Sequence, residues 1–403
     1  MKQITNAGEE MGTTVTKKKR FEALDVLRGL TMVIMALDHS RDFLSLGYVF
    51  SKPLDIDITT IEVFLTRWIT HFAAPTFMFL AGIGLYFASR RRTKSELAFL
   101  AFSRGLWLIF LELTIVGYFW TFSPNFFSHP KIAVLFAIGV SMISFSLLLY
   151  LPKAVIGVIA FLLIFGHNAF DGIHAADLGS YGWIWHLLHE PGMINLFGID
   201  IRVVYPFIPW IGVLAAGYLF GPVVSLEQEQ RKKVFLFSGI GLLTLGLFLR
   251  MTNLYGEANL FNVYNNWEMT FMSFLNVTKY PPSLIYLSFM LGFAMLLMYW
   301  FDKPMGKYAY QLQVFGRVPF FFYILHIPLL HLIGVLVAYF NFGNADWLFN
   351  TPVREGPHNW AQYQFKLLPT YLAWIFTLWI LYYPSKWFGE LKIRRNDWWL
   401  SYF

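Results

Sequence analysis

The sequence contains no cysteine and few charged side chains. Of its 403 residues, 14% are Asp, Glu, Lys or Arg, against about 25% in an ordinary soluble protein. The absence of cysteine excludes a disulfide framework, a thiolate nucleophile and a cysteine-ligated metal. Because a soluble globule of this length needs more charge to cover its surface, the low charge excludes a soluble fold.

Apolar and aromatic residues take the place of the missing charge. Hydrophobic residues make up 57% of the chain and aromatic residues 20%, and the mean hydropathy is +0.52. A helix needs about 20 mostly apolar residues to cross a bilayer. Ten segments meet or approach this requirement: 23–44, 68–89, 100–120, 132–151, 153–170, 204–221, 234–251, 282–301, 314–339 and 367–385. The sequence therefore predicts an all-α, polytopic bundle of about ten spanning helices.

The basic residues are distributed unevenly between the two sides of these spans. With a cytoplasmic N-terminus, 21 Lys and Arg fall on the inner side and 9 on the outer side, and Arg28 lies inside the first span. The positive-inside rule therefore places both termini in the cytoplasm. The net charge of +7 then reflects topology and lipid headgroups, and it does not indicate nucleic-acid binding.

The chain is predicted to have one membrane domain between two cytoplasmic tails. The tails are residues 1–22 and 386–403, and the membrane domain is 23–385. Residues 1–16 are polar and lack a signal-peptide pattern, so the first span is expected to be retained. The long outer loops are aromatic-rich, which suits either interfacial anchoring or binding of a polar substrate such as a sugar. They comprise about 45–67, 171–203, 252–281 and 340–366.

The first span carries several ionisable residues, which are functional candidates wherever they occur inside a membrane. Arg28 and His39 share one helix face and lie about 16 Å apart along the axis. Asp25 stands three residues before Arg28, and Asp42 stands three after His39, so each acid can pair with its neighbour. Asp42 is thus expected to orient the His39 imidazole. Ion pairs that only fix helix packing are the alternative for Asp25 and Arg28.

The second span adds a further arginine and histidine. Arg67 and His71 are four residues apart and lie on one helix face, where they form either part of a site or an interfacial pair that extends towards water. Pro75 can kink this helix and leave a carbonyl free. Gly82 and Gly84 would allow another helix to approach closely.

Four further ionisable residues occur later in the chain. His326 lies near the middle of the ninth span, and His331 follows about 140° around the helix, so the two do not form a simple metal pair. No His-Glu-x-x-His spacing or carboxylate cluster occurs, and no metal site is predicted. Arg202 and Lys279 precede spans, where either could contact an anionic cofactor.

Four segments of the chain carry a family resemblance. They are Leu27-Arg28-Gly29 with His39 eleven positions after the arginine, Phe79-Leu80-Ala81-Gly82 leading to the basic run Arg90–Arg92, residues 205–212, and residues 278–283. The first two segments resemble the first- and second-helix motifs of the membrane acyltransferase superfamily, which includes bacterial O-antigen acetylases. The last two resemble the bacterial branch related to heparan-alpha-glucosaminide N-acetyltransferase.

The resemblance implies an enzyme of the bacterial inner (cytoplasmic) membrane. It would move an acetyl or other acyl group from cytoplasmic acetyl-CoA (acyl-CoA) to a sugar amine or hydroxyl on the outer side. One departure is that the lysosomal branch uses a histidine in the lumenal loop after the first helix, whereas residues 45–67 contain none. The broader superfamily motif therefore assigns the role of the catalytic histidine to His39, and His71 remains a candidate partner or replacement.

On this interpretation His39 acts as a general base, and a covalent acyl-imidazole is the variant mechanism. The other catalytic candidates are Asp42, Arg28 and His71. The candidates for contacting the acyl-CoA are Arg67, Lys279, Arg202 and His326. The basic cluster Arg90–Arg92, Lys94 and Arg104 either meets the phosphates of the donor or only sets topology. The alternative functions are a transporter or flippase of a polar or lipid-linked solute, and a catalytically silent scaffold.

The predicted topology can be tested by cysteine labelling, since the chain has no cysteine of its own. A Ser95→Cys variant should resist an impermeant thiol reagent in intact cells and react after the membrane is permeabilised. Labelling of the intact cells would contradict a cytoplasmic location for the segment between the second and third spans.

Overall fold

The computed structural model describes residues 21–44, 53–128, 130–304, 306–349, 367–395 and 397–402. Its helices are α1 (Glu22–Leu44), α2 (Ile61–Thr70), α3 (Ala73–Ser89), α4 (Lys94–Thr121), α5 (Val134–Leu148), α6 (Lys153–Phe170), α7 (Gly182–Leu188), α8 (Ile208–Val224), α9 (Gln228–Thr252), α10 (Trp267–Leu275), α11 (Leu284–Phe301), α12 (Lys307–Arg317), α13 (Pro319–Phe342) and α14 (Leu367–Arg394). The described residues also include three short strands, a few 3-10 turns and the connecting loops. The all-α, polytopic architecture is confirmed.

A helix occupies each of the ten predicted segments. Seven segments are long and apolar enough to cross a membrane: α2 with α3, α4, α6, α9, α11, α13 and α14. Helices α5 and α8 are apolar but shorter, and α1 has six charged residues among its 23. The number of crossings stays a prediction.

Some predicted boundaries differ from those of the helices. The second segment begins at Ile61, before the predicted residue 68, and α14 continues past residue 385 to Arg394. Residue Leu400, in the predicted C-terminal tail, is buried against Val318 and Phe388. Most of the predicted N-terminal tail 1–22 lies outside the described residues, as do parts of the predicted loops 45–67 and 340–366.

Glycines allow the helices to pack closely. The most extensive helix contacts are α3 with α8, α9 with α11, α4 with α5, and α1 with α12. In each pair both helices have a glycine at the contact, where an added Cβ would lie within 3.0 Å of the neighbouring helix. These glycines are Gly82 with Gly217, Gly239 with Gly292, Gly105 with Gly139, and Gly29 with Gly316. Because lipid tails are as apolar as leucine, such close packing is a main source of helix association in a bilayer.

A small sheet interrupts the helical pattern. Strands β2 (Gly192–Leu196) and β3 (Ile199–Val203) form a hairpin, and β1 (Lys131–Ile132) pairs parallel to β3. The turn places Phe197 and Gly198 at positive φ. Sequence analysis predicted no strand here: it placed the hairpin in the outer loop 171–203 and Ile132 in the fourth span. The hairpin strands are only five residues long and mostly exposed.

The packing predicts opposite outcomes for two neighbouring glycines. A Cβ at Gly82 would lie 2.1 Å from the carbonyl oxygen of Leu214 on α8, whereas a Cβ at Gly84 would meet nothing within 4 Å. The expected close approach is therefore confirmed at Gly82 and wrong at Gly84. Gly82→Ala should destabilise the protein by about 1–3 kcal/mol through overpacking.

Gly84→Ala is the matched control. It should leave stability unchanged or raise it by up to about 1 kcal/mol, because alanine is the better helix former. Thermal unfolding in one detergent compares the two variants, and equal melting temperatures would contradict the α3–α8 contact.

Candidate active site

Two histidines from distant parts of the chain meet between α1 and α13. The Nδ1 atom of His39 lies 2.7 Å from Nε2 of His326. Their rings are stacked, with centroids 4.9 Å apart, and the edge of Trp120 closes on the His39 ring at 5.0 Å. His326 is fully buried, whereas His39 is partly exposed. The structure thus brings together two residues that the sequence had proposed for different roles.

The surroundings of this pair define which nitrogens carry protons. The Nδ1 atom of His326 lies 3.2 Å from the Phe322 carbonyl, which can only accept a hydrogen bond. With both rings neutral, His326 therefore donates through Nδ1 and accepts through Nε2, so His39 must donate from its Nδ1. Nε2 of His39 is left with a lone pair, and no described residue hydrogen-bonds to it.

An ion-pair cluster is centred on Asp38, the residue before His39 on α1. Nη1 of Arg67 donates to both carboxylate oxygens of Asp38, at 2.6 and 2.5 Å, and Thr70 donates to the same carboxylate at 3.0 Å. Arg41 approaches Asp38 at 3.1 Å. The carboxylate of Asp38 therefore joins α1 to α2.

Asp42 does not orient His39 as expected. Its Oδ1 accepts a hydrogen bond from Arg41 at 2.8 Å, and the Nδ1 atom of His39 contacts His326 instead. Asp38 and Asp42 both flank His39 in sequence, but each forms an ion pair with an arginine. The attraction between opposite charges is stronger than a hydrogen bond to a neutral imidazole.

The break between α2 and α3 follows from Pro75. Proline has no backbone N–H, so the carbonyl four residues earlier, that of His71, loses its helical partner. The hydroxyl of Tyr286 on α11 donates to this carbonyl at 2.8 Å. The expected kink and free carbonyl are thus both present. The ring of His71 is fully buried, and neither nitrogen has a hydrogen-bond partner among the described residues.

A loop before α11 brings Lys279 towards this cluster. The side chain of Lys279 is 7% exposed, and its charge acts on Asp38, His39 and His71. Its ammonium packs over the ring of Tyr280 at 5.3 Å. No carboxylate of the described ranges forms an ion pair with it.

Two buried charged residues hold this loop in place. Glu257 accepts hydrogen bonds from the Thr278 backbone and from the hydroxyls of Thr278 and Ser283, so it fixes the segment on both sides of Lys279. The guanidinium of Arg250 donates to the carbonyls of residues 259, 273, 274 and 276 and so covers the C-terminal end of α10. Sequence analysis had singled out neither residue, because their partners are backbone groups without a sequence pattern.

Two tyrosines continue the cluster outside the spanning helices. The hydroxyl of Tyr280 donates to that of Tyr205 at 3.3 Å. Burial opposes ionisation of Tyr280, but the charges of Lys279 and Arg67 outweigh it and lower the pKa of Tyr280 below its ordinary value. Burial, with the neighbouring Tyr280, raises the pKa of Tyr205 well above its ordinary value.

The remaining predicted site residues lie apart from the histidine pair. Arg28 donates to Asp25 at 3.0 Å and to the Gly316 carbonyl at 3.1 Å, which supports its role in fixing the helix register. Arg202 is exposed on β3 beside Lys131. Lys131, which sequence analysis did not select, packs over Trp120 at 5.6 Å, and its charge acts on His39.

His331 has a structural environment. Its two nitrogens face the carbonyls of Phe119 and Leu348 at 2.8 and 2.9 Å, and its ring stacks on Phe122 with centroids 4.1 Å apart. Glu112 accepts hydrogen bonds from the Leu135 and Phe136 amides and thereby caps α5. Within the described ranges no group of three or more His, Asp or Glu residues could hold a metal ion.

Fold and site together define a multi-pass membrane protein with a histidine pair and an ion-pair cluster enclosed among its helices. Residues 20–254 match the family model described as heparan-alpha-glucosaminide N-acetyltransferase, catalytic. This match covers more than half of the 403 residues, so the chain belongs to that family of membrane acyltransferases, and the resemblance noted in the sequence is confirmed. No curated protein matches the chain. His39 and Arg67 lie within the matched residues, and Lys279 and His326 lie beyond them.

Removing the carboxylate that joins α1 to α2 should destabilise the protein. Asp38→Asn leaves the largely buried Arg67 without its carboxylate partner and Arg41 with Asp42 alone, and breaking a buried pair on one side costs about 3–5 kcal/mol. Asp57→Asn is a control in which the carboxyl is exposed, and its effect should stay within about 0.5 kcal/mol. Thermal unfolding measures both, and similar melting temperatures would contradict the cluster.

Proposed function

We propose that the protein transfers an acetyl group from acetyl-CoA to a saccharide amine or hydroxyl at the outer side of the bacterial cytoplasmic membrane. The observation that carries this proposal is the His39–His326 contact, which leaves Nε2 of His39 available as a base. Family membership supports the class of reaction.

His39 is the general base in this mechanism. Its Nε2 removes the proton from the acceptor amine or hydroxyl while the acceptor nitrogen or oxygen attacks the thioester carbonyl carbon. His326, held by the Phe322 carbonyl, keeps the His39 proton on Nδ1 and stabilises the imidazolium that forms at His39. His326 is therefore a positioning residue and does not itself need to touch the substrate.

The positively charged side chains of the cluster are placed to stabilise the negative charge that develops on the thioester oxygen. Attack on the thioester produces an oxyanion, which then collapses by breaking the carbon–sulfur bond, and the CoA thiolate takes the proton from His39. Lys279 suits contact with the oxyanion because its ammonium is buried without a carboxylate partner among the described residues. Arg67 keeps a fixed position through Asp38, and the unpartnered nitrogens of His71 offer a further contact.

Replacement of His39 tests the base directly. His39→Ala should lower turnover by about 10²–10⁴-fold, as is typical for loss of a positioned base, while the melting temperature stays close to that of the parent. Release of free CoA thiol from acetyl-CoA in the presence of a saccharide acceptor is the measurement. Near-normal turnover would transfer the role to His71, and full activity in both single variants would exclude histidine base catalysis.

Two variants of His326 separate positioning from folding. His326→Leu removes the acceptor for His39 Nδ1 and should lower kcat with little change in KM. His326→Gln keeps a side-chain acceptor and should recover part of the activity. Equal activity of both variants would contradict the positioning role.

The transporter alternative gives a different result in the same preparation. A protein that moves a solute across proteoliposomes without binding or consuming acetyl-CoA would be a transporter, and the acyltransferase proposal would then be wrong.

A further inference from the structure

An apolar groove lies among α1, α2, α3 and α11. Its volume is about 310 Å³, within the range of about 300–1,000 Å³ that is typical of ligand pockets. Every residue that lines it is aliphatic or aromatic. Phe72 and Met290 are buried in it, whereas Ile69, Phe293 and Trp300 are exposed. Because α2 with α3 and α11 are long and apolar enough to cross a membrane, the open side of the groove faces the hydrocarbon of the bilayer.

The groove has the length of one lipid chain. It follows one face of α11 from Met290 through Phe293 and Leu297 to Trp300. Ten residues of helix rise about 15 Å, which is half of the about 30 Å hydrocarbon core of a bilayer. The groove therefore matches the depth of a single leaflet, which a hydrocarbon chain fills when its head group stays at the membrane surface.

Positive charge lies at the Trp300 end of the groove. The ammonium of Lys303 lies over the Trp300 ring at 4.9 Å, and that of Lys232 on α9 lies over the neighbouring Tyr299 ring at 5.1 Å. Within the part of the chain that the structure describes, no carboxylate forms an ion pair with either lysine. In the predicted topology this end of α11 faces the cytoplasm, where the anionic lipids of the inner leaflet attract basic side chains.

The acid beside Lys303 is already engaged. Asp302 accepts two hydrogen bonds from the Arg231 guanidinium, each at 2.7 Å. Because this bidentate pair compensates the carboxylate, the charges of Lys303 and Lys232 are left for an anion from outside the described residues.

The other end of the groove adjoins the candidate active site. Trp68 and Phe72 line it there, and in the chain they follow Arg67 and His71 directly. The rings of Trp68 and Phe293 meet edge to face with centroids 6.1 Å apart, so the groove runs along the contact between α2 and α11. A chain that fills it would support the helix segment that carries Arg67.

We propose that the groove binds one hydrocarbon chain of an anionic phospholipid of the inner leaflet, with the lipid phosphate at Lys303 and Lys232. Lipid tails already lie in an apolar medium, so entry into the groove yields packing contacts without a hydrophobic gain. The head-group charge therefore provides the selectivity, and a zwitterionic lipid with the same chains binds more weakly. This inference goes beyond the proposed function and does not depend on acyl transfer.

The first test measures lipid binding to the full chain in detergent by native mass spectrometry. Phosphatidylglycerol should bind more tightly than phosphatidylcholine with the same chains. Lys303→Gln should raise the apparent Kd for phosphatidylglycerol about 5-fold, the effect expected of one lysine near an anionic head group. Lys153→Gln removes an exposed lysine on the same predicted side of the membrane and should leave this Kd unchanged. Equal Kd values for the two lipids, or equal effects of the two variants, would overturn the proposal.

Inorganic phosphate separates a lipid site from a site for any anion. An excess of phosphate should not displace phosphatidylglycerol from the parent protein, because phosphate cannot fill the groove. Displacement would show that only the lysines hold the ligand, and the assignment of the groove would then be wrong.

A second pair of variants tests the groove itself. Ile69→Trp adds an indole at the open side of the groove, and Ile240→Trp makes the same change on α9, where the isoleucine has the same exposed fraction of 47%. Ile69→Trp should weaken the binding of both lipids, whereas Ile240→Trp should leave it unchanged. Equal lipid binding by the two variants would overturn the proposal.

Thermal unfolding of the same variants controls for folding. Without lipid, both should melt close to the parent. Phosphatidylglycerol should raise the melting temperature of the parent and of Ile240→Trp but not that of Ile69→Trp, because a ligand that binds only the native state stabilises it. An equal rise in all three proteins would contradict binding in the groove.

Discussion

The carboxylate of Asp38 is the interaction on which the arrangement of the site depends. Inside a bilayer, a charged group must find its partner within the protein. Asp38 meets this requirement with an arginine of its own helix, Arg41, and an arginine of the next helix, Arg67. The same contact fixes the distance between α1 and α2, and hence the positions of His39 and His71 on those helices.

Neutral groups in the site follow the same requirement. The carbonyl that Pro75 leaves free at His71 is bound by Tyr286, and the Phe322 carbonyl binds His326. Nε2 of His39 and the His71 ring lack a hydrogen-bond partner among the described residues, and the Lys279 ammonium lacks a carboxylate partner there. The proposed reaction uses these three groups.

The sequence predicted features that depend on local spacing. Helix-length apolar runs placed the spans, and the missing N–H of Pro75 predicted a free carbonyl four residues earlier. The spacing of three residues predicted Asp42 as the partner of His39, and this was wrong, because Asp42 accepts a hydrogen bond from its sequence neighbour Arg41. The His39–His326 contact joins residues 287 positions apart, and its formation depends on how α1 and α13 rotate against each other. Periodicity within one helix contains no information on that rotation, and for the same reason it could not distinguish Gly82 from Gly84.

The contact between Gly29 and Gly316 fixes the axial position of α12 against α1, and through α13 it affects the distance between the two histidines. A Cβ at Gly316 would lie 1.7 Å from the Asp25 carbonyl oxygen, so the backbones of α1 and α12 meet directly. Only Val318 separates α12 from α13, which carries His326. A slip of α12 by one residue would move it about 1.5 Å along its axis, a large fraction of the 2.7 Å between the two imidazole nitrogens. The contact between these two glycines therefore helps to set the distance between the His39 and His326 side chains, which lie several helical turns away.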